Sequence, residues 1–220
     1  MTLRVLAGAA TLCALLWAGA PGRADDLQQW TELEVIHPLD ESFELGAMLQ
    51  TRVVDDISRL GTVVVRPFVT YNLSDEIGLT LGYDYFRRRL SNENSENRVW
   101  QQLGMAYAAG ALSITNRLRF EQRIIDDVRG VTLRGRYRLR LSHRLDDPQW
   151  KLIASNEVFA NFNQEPGGPR KGFSQNRLFG GVGYQVTPHL DLEAGYQWRV
   201  RPSASDHMLI IGLYFDTGGR

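Results

Sequence analysis

Cysteine, lysine and long apolar segments are scarce in this chain of 220 residues. The single cysteine, Cys13, excludes an internal disulfide framework and a zinc site built from cysteines. Basic and acidic residues balance at 25 each, so the basic excess of nucleic-acid-binding proteins is absent. Only Lys151 and Lys171 are lysines, and every other basic residue is arginine. The 43% hydrophobic content excludes both a disordered chain and a helical membrane bundle. We predict no cofactor and no nucleic-acid partner.

The longest uncharged apolar run lies at the N-terminus. Residues 5–18 follow Arg4, and small residues occupy positions 22 and 24. This layout is typical of a secretory signal peptide, and the run is shorter than the ~20 residues of a membrane-spanning helix. We therefore predict a signal peptide at residues 1–24 and one domain at residues 25–220. An uncleaved anchor helix is the alternative.

From Trp30 onward, apolar and polar residues alternate with a period of two, which is the signature of β-strands. In residues 132–144, four consecutive positions of the polar face are arginine. Similar segments cover residues 42–52, 62–71, 77–86, 98–107, 112–123, 150–162, 174–186, 190–201 and 207–215. These segments have the ~9–11 residues of a tilted membrane-spanning strand, whereas ordinary strands have ~5–6. The pattern predicts an all-β protein.

The connections and the aromatic residues favour a membrane barrel over a soluble one. Short connections at residues 72–76, 108–111, 144–149 and 187–189 alternate with longer ones at 87–97, 124–130 and 164–173, as in outer-membrane barrels. Aromatic residues of the apolar face lie near strand ends, where interfacial girdles are expected: Tyr71, Tyr85, Tyr107, Trp150 and Trp198. We predict a single antiparallel transmembrane β-barrel in the bacterial outer membrane, in contact with lipid and lipopolysaccharide and inserted by the barrel assembly machinery.

The number of strands follows from a parity argument. Ten strands lie between Ser42 and Phe215, and the segment from Trp30 to His37 would be an eleventh. Bacterial single-chain barrels have even strand numbers. We therefore predict ten spanning strands, with the segment from Trp30 to His37 near the periplasmic rim or in the lumen, and twelve strands as the alternative. The residues after Phe215 are predicted to form a short tail, although such barrels usually end on an aromatic residue.

Six fragments in order resemble the bacterial domain-of-unknown-function family 2490, whose members are regarded as outer-membrane barrels. They are residues 30–34, 116–123, 136–140, 156–159, 175–184 and 207–215. The resemblance covers nearly all of the predicted mature chain. It implies an outer-membrane location and a barrel fold, and it implies no activity.

Apolar side chains that face lipid would leave the charged face inside the barrel. The predicted lumen charge cluster consists of Arg117, Arg119, Glu121, Arg134, Arg136, Arg138, Arg140, Glu157, Arg177, Asp191, Glu193 and Arg199. Arginines and carboxylates on opposite walls can pair with bidentate geometry. One interpretation is a structural salt-bridged core in a narrow barrel. The other is a small pore or binding site that favours anions.

Other functions have weaker support in the sequence. An outer-membrane lipid hydrolase needs a serine–histidine–acid set, and no spacing singles one out, although Ser174 or Ser203 could approach His207. We predict no enzymatic activity, no catalytic residues and no metal site. The acidic pairs at residues 55–56, 126–127 and 146–147 could bind calcium and bridge lipopolysaccharide, but solvated turn acids are commoner. A soluble periplasmic β-barrel carrier of ligands is the remaining alternative.

Overall fold

The computed structural model describes residues 24–89 and 94–218, which form eleven strands in one closed barrel. The strands are β1 (Ala24–Pro38), β2 (Phe43–Val54), β3 (Arg59–Ser74), β4 (Ile77–Arg88), β5 (Asn94–Ala109), β6 (Leu112–Ile125), β7 (Thr132–Arg144), β8 (Trp150–Asn161), β9 (Gly172–Thr187), β10 (Leu190–Arg201) and β11 (Ala204–Asp216). Apart from its last residue, the predicted signal peptide lies outside the described residues and stays a prediction.

The prediction of ten strands, with twelve as the alternative, is wrong. The segment from Trp30 to His37 is neither a rim segment nor a lumen plug, because it belongs to β1, a full strand of the wall. On one side β1 pairs antiparallel with β2, and on the other it pairs parallel with β11, with Leu33 opposite Leu213. The prediction of a purely antiparallel sheet fails at this seam. An odd number of alternating strands can close only by placing two parallel strands side by side.

The connections define two rims. The first, here called the short-turn rim, carries residues 39–42, 75–76, 110–111, 145–149 and 188–189. The second, the long-loop rim, carries residues 55–58, 126–131, 162–171 and 202–203, and it is also where β4 ends and β5 begins. The connections at residues 126–131 and 162–171 are longer than every turn of the short-turn rim, as the sequence predicts, whereas those at 55–58 and 202–203 are not. Because the strand number is odd, β1 begins at the long-loop rim and β11 ends at the short-turn rim.

The barrel wall is inverted relative to a soluble protein. Large apolar side chains on the outer face are exposed, such as Leu45 and Leu81, each with about half of its surface accessible. Charged side chains on the inner face are buried, and Asp84, Glu96 and Glu121 are completely inaccessible. Successive residues of a strand point to opposite faces, so the alternation in the sequence produces this division directly. No helix in the described ranges is long and apolar enough to cross a membrane.

Wide side chains cover glycines on the inner wall. The indole of Trp100 lies over Gly82 so closely that a Cβ added there would be 2.1 Å from Cζ2. The same indole donates a hydrogen bond from Nε1 to Oδ1 of Asp84 at 2.7 Å. The glycine therefore leaves the space that a fully buried tryptophan needs beside the charged groups.

Candidate functional site

A cavity of about 700 Å³ lies in the lumen and is lined largely by arginine. Of the charged residues predicted from the sequence to cluster there, nine line it: Arg117, Arg134, Arg136, Arg138, Arg140, Glu157, Arg177, Glu193 and Arg199. Arg119, Glu121 and Asp191 do not line the cavity but contact neighbouring inward side chains. Strands β6 and β7 supply most of these arginines, because their polar positions recur every second residue.

Glu121 is the centre of one ion-pair network. Its carboxylate accepts a hydrogen bond from Arg134 Nε at 2.7 Å and another from Arg136 Nη1 at 2.7 Å. The Glu121 side chain is completely buried, and the two arginine side chains are at least nine-tenths buried. Buried charges are tolerated only when they are paired and hydrogen-bonded. The network therefore lets these charged groups be buried in this part of the wall.

Glu157 interacts with three arginines. It accepts hydrogen bonds from Arg117 Nη2 at 2.6 Å and from Arg136 Nη2 at 2.8 Å. Arg177 approaches it at 4.0 Å, the outer limit of an ion pair. One negative charge thus faces three positive charges, so this part of the lumen retains a positive excess.

A third network lies on β7, β8 and β10. Arg140 donates to Glu193 at 2.6 Å, and Lys151 lies 3.2 Å from Glu193 and 3.1 Å from Asp191. Farther along β10, Arg199 donates to Asp206 of β11 at 2.9 Å. Each acidic residue here is on a different strand from its basic partner, and the contacts link β10 to β7 and β8 as well as to its neighbour β11.

Several charged residues of the lumen were missed by the sequence analysis. Glu96 accepts hydrogen bonds from Arg98 at 2.5 Å and from Arg123 at 2.6 Å, and it also pairs with Arg88. We predicted Glu96 in a long connection, but β5 begins earlier, at Asn94. The detectable signal was the alternation of Glu96, Arg98 and Trp100 on one face. Asp206 was missed because it lies one residue before the predicted start of the last strand.

Arginines also stack on aromatic rings inside the barrel. The guanidinium of Arg119 lies 3.7 Å from the ring centroid of Trp100, and that of Arg52 lies 3.9 Å from the centroid of Trp30. A cation over an aromatic face is stabilised by about 0.5–2 kcal/mol, more when desolvated. These ring contacts position two arginines that have no carboxylate partner among the described residues. Arg52 and Arg119 donate hydrogen bonds to the amide oxygens of glutamines instead.

Two neighbouring arginines retain unsatisfied donors. Arg117 on β6 is directly opposite Arg138 on β7, and the buried Nε atom of each has no hydrogen-bond partner among the described residues. Arg138 forms no ion pair within the described part of the chain, although Glu157 is its register partner on β8. Like charges that face each other across a sheet repel. These two guanidinium groups are therefore able to bind an oxyanion.

In the part of the chain that the structure describes, the histidines considered for a lipid hydrolase do not form a serine–histidine pair, and no metal-binding cluster is found. His207 Nδ1 contacts the hydroxyl of Tyr196, and His189 Nδ1 lies 2.9 Å from the backbone oxygen of Asp216, so neither ring meets a serine there. Among the described residues there is no group of three or more His, Cys, Asp or Glu side chains suited to hold a metal ion.

The three acidic pairs in connections are mostly engaged by nearby polar groups. Asp126 accepts hydrogen bonds from the backbone N and the hydroxyl of Ser95, at 2.6 and 2.8 Å, and these bonds lower the pKa of its carboxyl. Asp55 pairs with Arg59, and Asp147 accepts from the backbone N of Gln149 at 3.0 Å. These are contacts of ordinary turn acids.

A protein family and a relative, both without a known function, match most of this chain. The family model described as a protein of unknown function, DUF2490, matches residues 27–208. An uncharacterized protein of Methylorubrum extorquens is 28% identical over 219 aligned positions, which cover 93% of this chain and 95% of that protein.

Solved structures of barrels are also similar. The NanC porin in a rhombohedral crystal form has a TM-score of 0.56 at 14% identity, over 86% of this chain and 98% of that one. The translocator domain of the autotransporter NalP from Neisseria meningitidis has a TM-score of 0.43 at 18% identity, over 77% and 72%. The likeness to the porin shows a shared barrel fold.

Proposed function

The chain belongs to the DUF2490 family of proteins of unknown function, and we propose that it is an outer-membrane β-barrel whose arginine-rich lumen admits small anionic solutes. The observation that carries this proposal is the cavity inside the barrel. Its lining contains thirteen arginines against four glutamates. Rings of charged side chains select ions of the opposite sign. An excess of guanidinium groups around an internal space therefore favours anions.

The outer wall supports the membrane location. Its exposed apolar side chains extend around the barrel, and aromatic pairs lie at the short-turn rim, such as Trp150 with Tyr184 at 4.7 Å and Phe43 with Tyr71 at 4.9 Å. An apolar band with aromatic rims suits a bilayer and would be a liability in water. The partners we propose are membrane lipid, lipopolysaccharide and the barrel assembly machinery. We propose no enzymatic activity.

The location is tested by heat-modifiable gel migration of isolated outer membranes. A folded barrel migrates differently before and after boiling, so we expect two positions for the wild-type protein. Recovery of the protein in the soluble periplasmic fraction would instead indicate a soluble ligand carrier.

The solute pathway is tested by conductance in planar bilayers. We expect discrete channels whose reversal potential in a salt gradient shows preference for the anion. A matched pair of variants adds specificity: Arg138→Gln removes a charge from the cavity and should reduce the preference, whereas Arg144→Gln removes one at the exposed rim and should not. Absence of conductance would contradict the pathway and would favour a purely structural role, which the dense ion-pair networks on Glu121 and Glu157 also suit.

A further inference from the structure

Two opposite walls of the lumen carry charges of opposite sign. Strands β6 and β7 are each five steps from β1 around the barrel, so they lie across the lumen from it. Strands β1 and β11 contain no lysine or arginine. Apart from Arg144, which is exposed at the rim, the inner positions of β6 and β7 hold one glutamate and seven arginines: Arg117, Arg119, Arg123, Arg134, Arg136, Arg138 and Arg140. The space between these walls therefore has a transverse electric field.

On each wall, a charged side chain that lines the cavity has neither a hydrogen bond nor an ion pair among the described residues. Glu34 on β1 and Arg138 on β7 both line the cavity. Neither forms a hydrogen bond or an ion pair with any residue in ranges 24–89 and 94–218. The next inward carboxylate on β1, Glu32, is by contrast occupied: it accepts hydrogen bonds from Tyr214, at 3.1 Å, and from Gln50. Unpaired charges in a confined space are costly, and a ligand that pairs with both would offset that cost.

We propose that the lumen binds small zwitterionic solutes, with an anionic end held by Arg117 and Arg138 and an ammonium end held by Glu34. The proposal rests on the proposed function as a solute-handling barrel and specifies its ligand class. A guanidinium presents parallel N–H donors that match the oxygens of a carboxylate or phosphate. Glu34 offers carboxylate oxygens to an ammonium group. The cavity of about 700 Å³ lies within the ~300–1,000 Å³ of small-molecule sites.

The ligand class is tested by equilibrium binding to the refolded full-length barrel in detergent micelles, with isothermal titration calorimetry. Three probes share one carbon chain: γ-aminobutyrate carries both charges, butyrate only the negative one, and n-butylammonium only the positive one. For the wild-type protein we expect γ-aminobutyrate to bind at least tenfold more tightly than either singly charged probe. This comparison needs no variant. Equal binding of butyrate and γ-aminobutyrate would overturn the proposal and indicate a plain anion site, and no binding of any probe would also overturn it.

Charge-removing variants then assign each end of the ligand. Glu34→Gln should reduce γ-aminobutyrate binding to the level of butyrate, and Arg138→Gln should reduce it to the level of n-butylammonium. The matched controls Glu76→Gln and Arg144→Gln change the same residue types at exposed positions of the short-turn rim and should leave binding unchanged. Unchanged zwitterion binding in Glu34→Gln would overturn the proposal. Since binding in micelles does not depend on conductance, its failure is distinguishable from failure of the solute pathway.

Discussion

The same substitution at two arginines on the same face of β7 should destabilise the barrel at one position and not at the other. Arg136 donates three hydrogen bonds to carboxylates: to Glu121 at 2.7 Å and to Glu157 at 2.8 and 3.1 Å. Arg138, two residues farther along, donates none within the described chain and is directly opposite Arg117. The substitutions Arg136→Gln and Arg138→Gln remove the same charge with the same change in size, so each is the control for the other.

The expected changes in the free energy of unfolding follow from these contacts. Removing one partner of a buried ion pair costs about 3–5 kcal/mol. Glu121 keeps Arg134 and Glu157 keeps Arg117 in the Arg136→Gln variant, so we expect a loss near the lower limit, about 3 kcal/mol. The Arg138→Gln variant loses no hydrogen bond and relieves a cross-strand repulsion of about 0.2–1 kcal/mol. Its free energy of unfolding should therefore stay within about 1 kcal/mol of the wild-type value.

The assay is urea unfolding of the barrel in lipid vesicles, followed by tryptophan fluorescence and checked by heat-modifiable gel migration. We expect a clearly lower midpoint for Arg136→Gln and a wild-type or higher midpoint for Arg138→Gln. Equal destabilisation by the two substitutions would refute the reasoning, because it would mean that Arg138 has partners like those of Arg136. Two wild-type midpoints would mean that the ion pairs on Glu121 and Glu157 contribute nothing net.

Two further predictions concern the wall. Leu33 and Leu213 are register partners across the parallel β1–β11 seam, so cysteines at these two positions should form a disulfide on oxidation, which a gel shift would reveal. Moving the β11 cysteine four positions along the strand should abolish the disulfide. Equal cross-linking of both variants would contradict the observed register. The Gly82→Ala substitution should cost about 1–3 kcal/mol in urea unfolding, because its Cβ would displace the buried indole of Trp100. Gly104→Ala is the control, since the nearest atom to its Cβ would be 3.8 Å away, and equal effects of the two would show that the Trp100 contact is not limiting.

Much of the wall could be predicted because the pattern that specifies it is local. The predicted segments 132–144 and 190–201 coincide with β7 and β10. Alternation of side chains between two faces is a property of a single strand, so it can be read without knowledge of the neighbours. Prediction failed at strand ends, as at Glu96, where charged residues of the inner face resembled a polar loop.

The amino-acid sequence alone determined that the chain forms long strands with one apolar and one arginine-rich face. Only the tertiary structure decided how many strands close the barrel, which pair is parallel and which charged side chains form ion pairs. Closure joins β1 to β11, whose register partners are about 180 residues apart in sequence, and no local periodicity reports such a contact. Likewise, Arg117 reaches Glu157 two strands away, while Arg138 and Glu34 both line the cavity without an ion pair among the described residues. The charge balance of the sequence counts such groups equally, whereas their positions around the lumen determine which of them form ion pairs with one another.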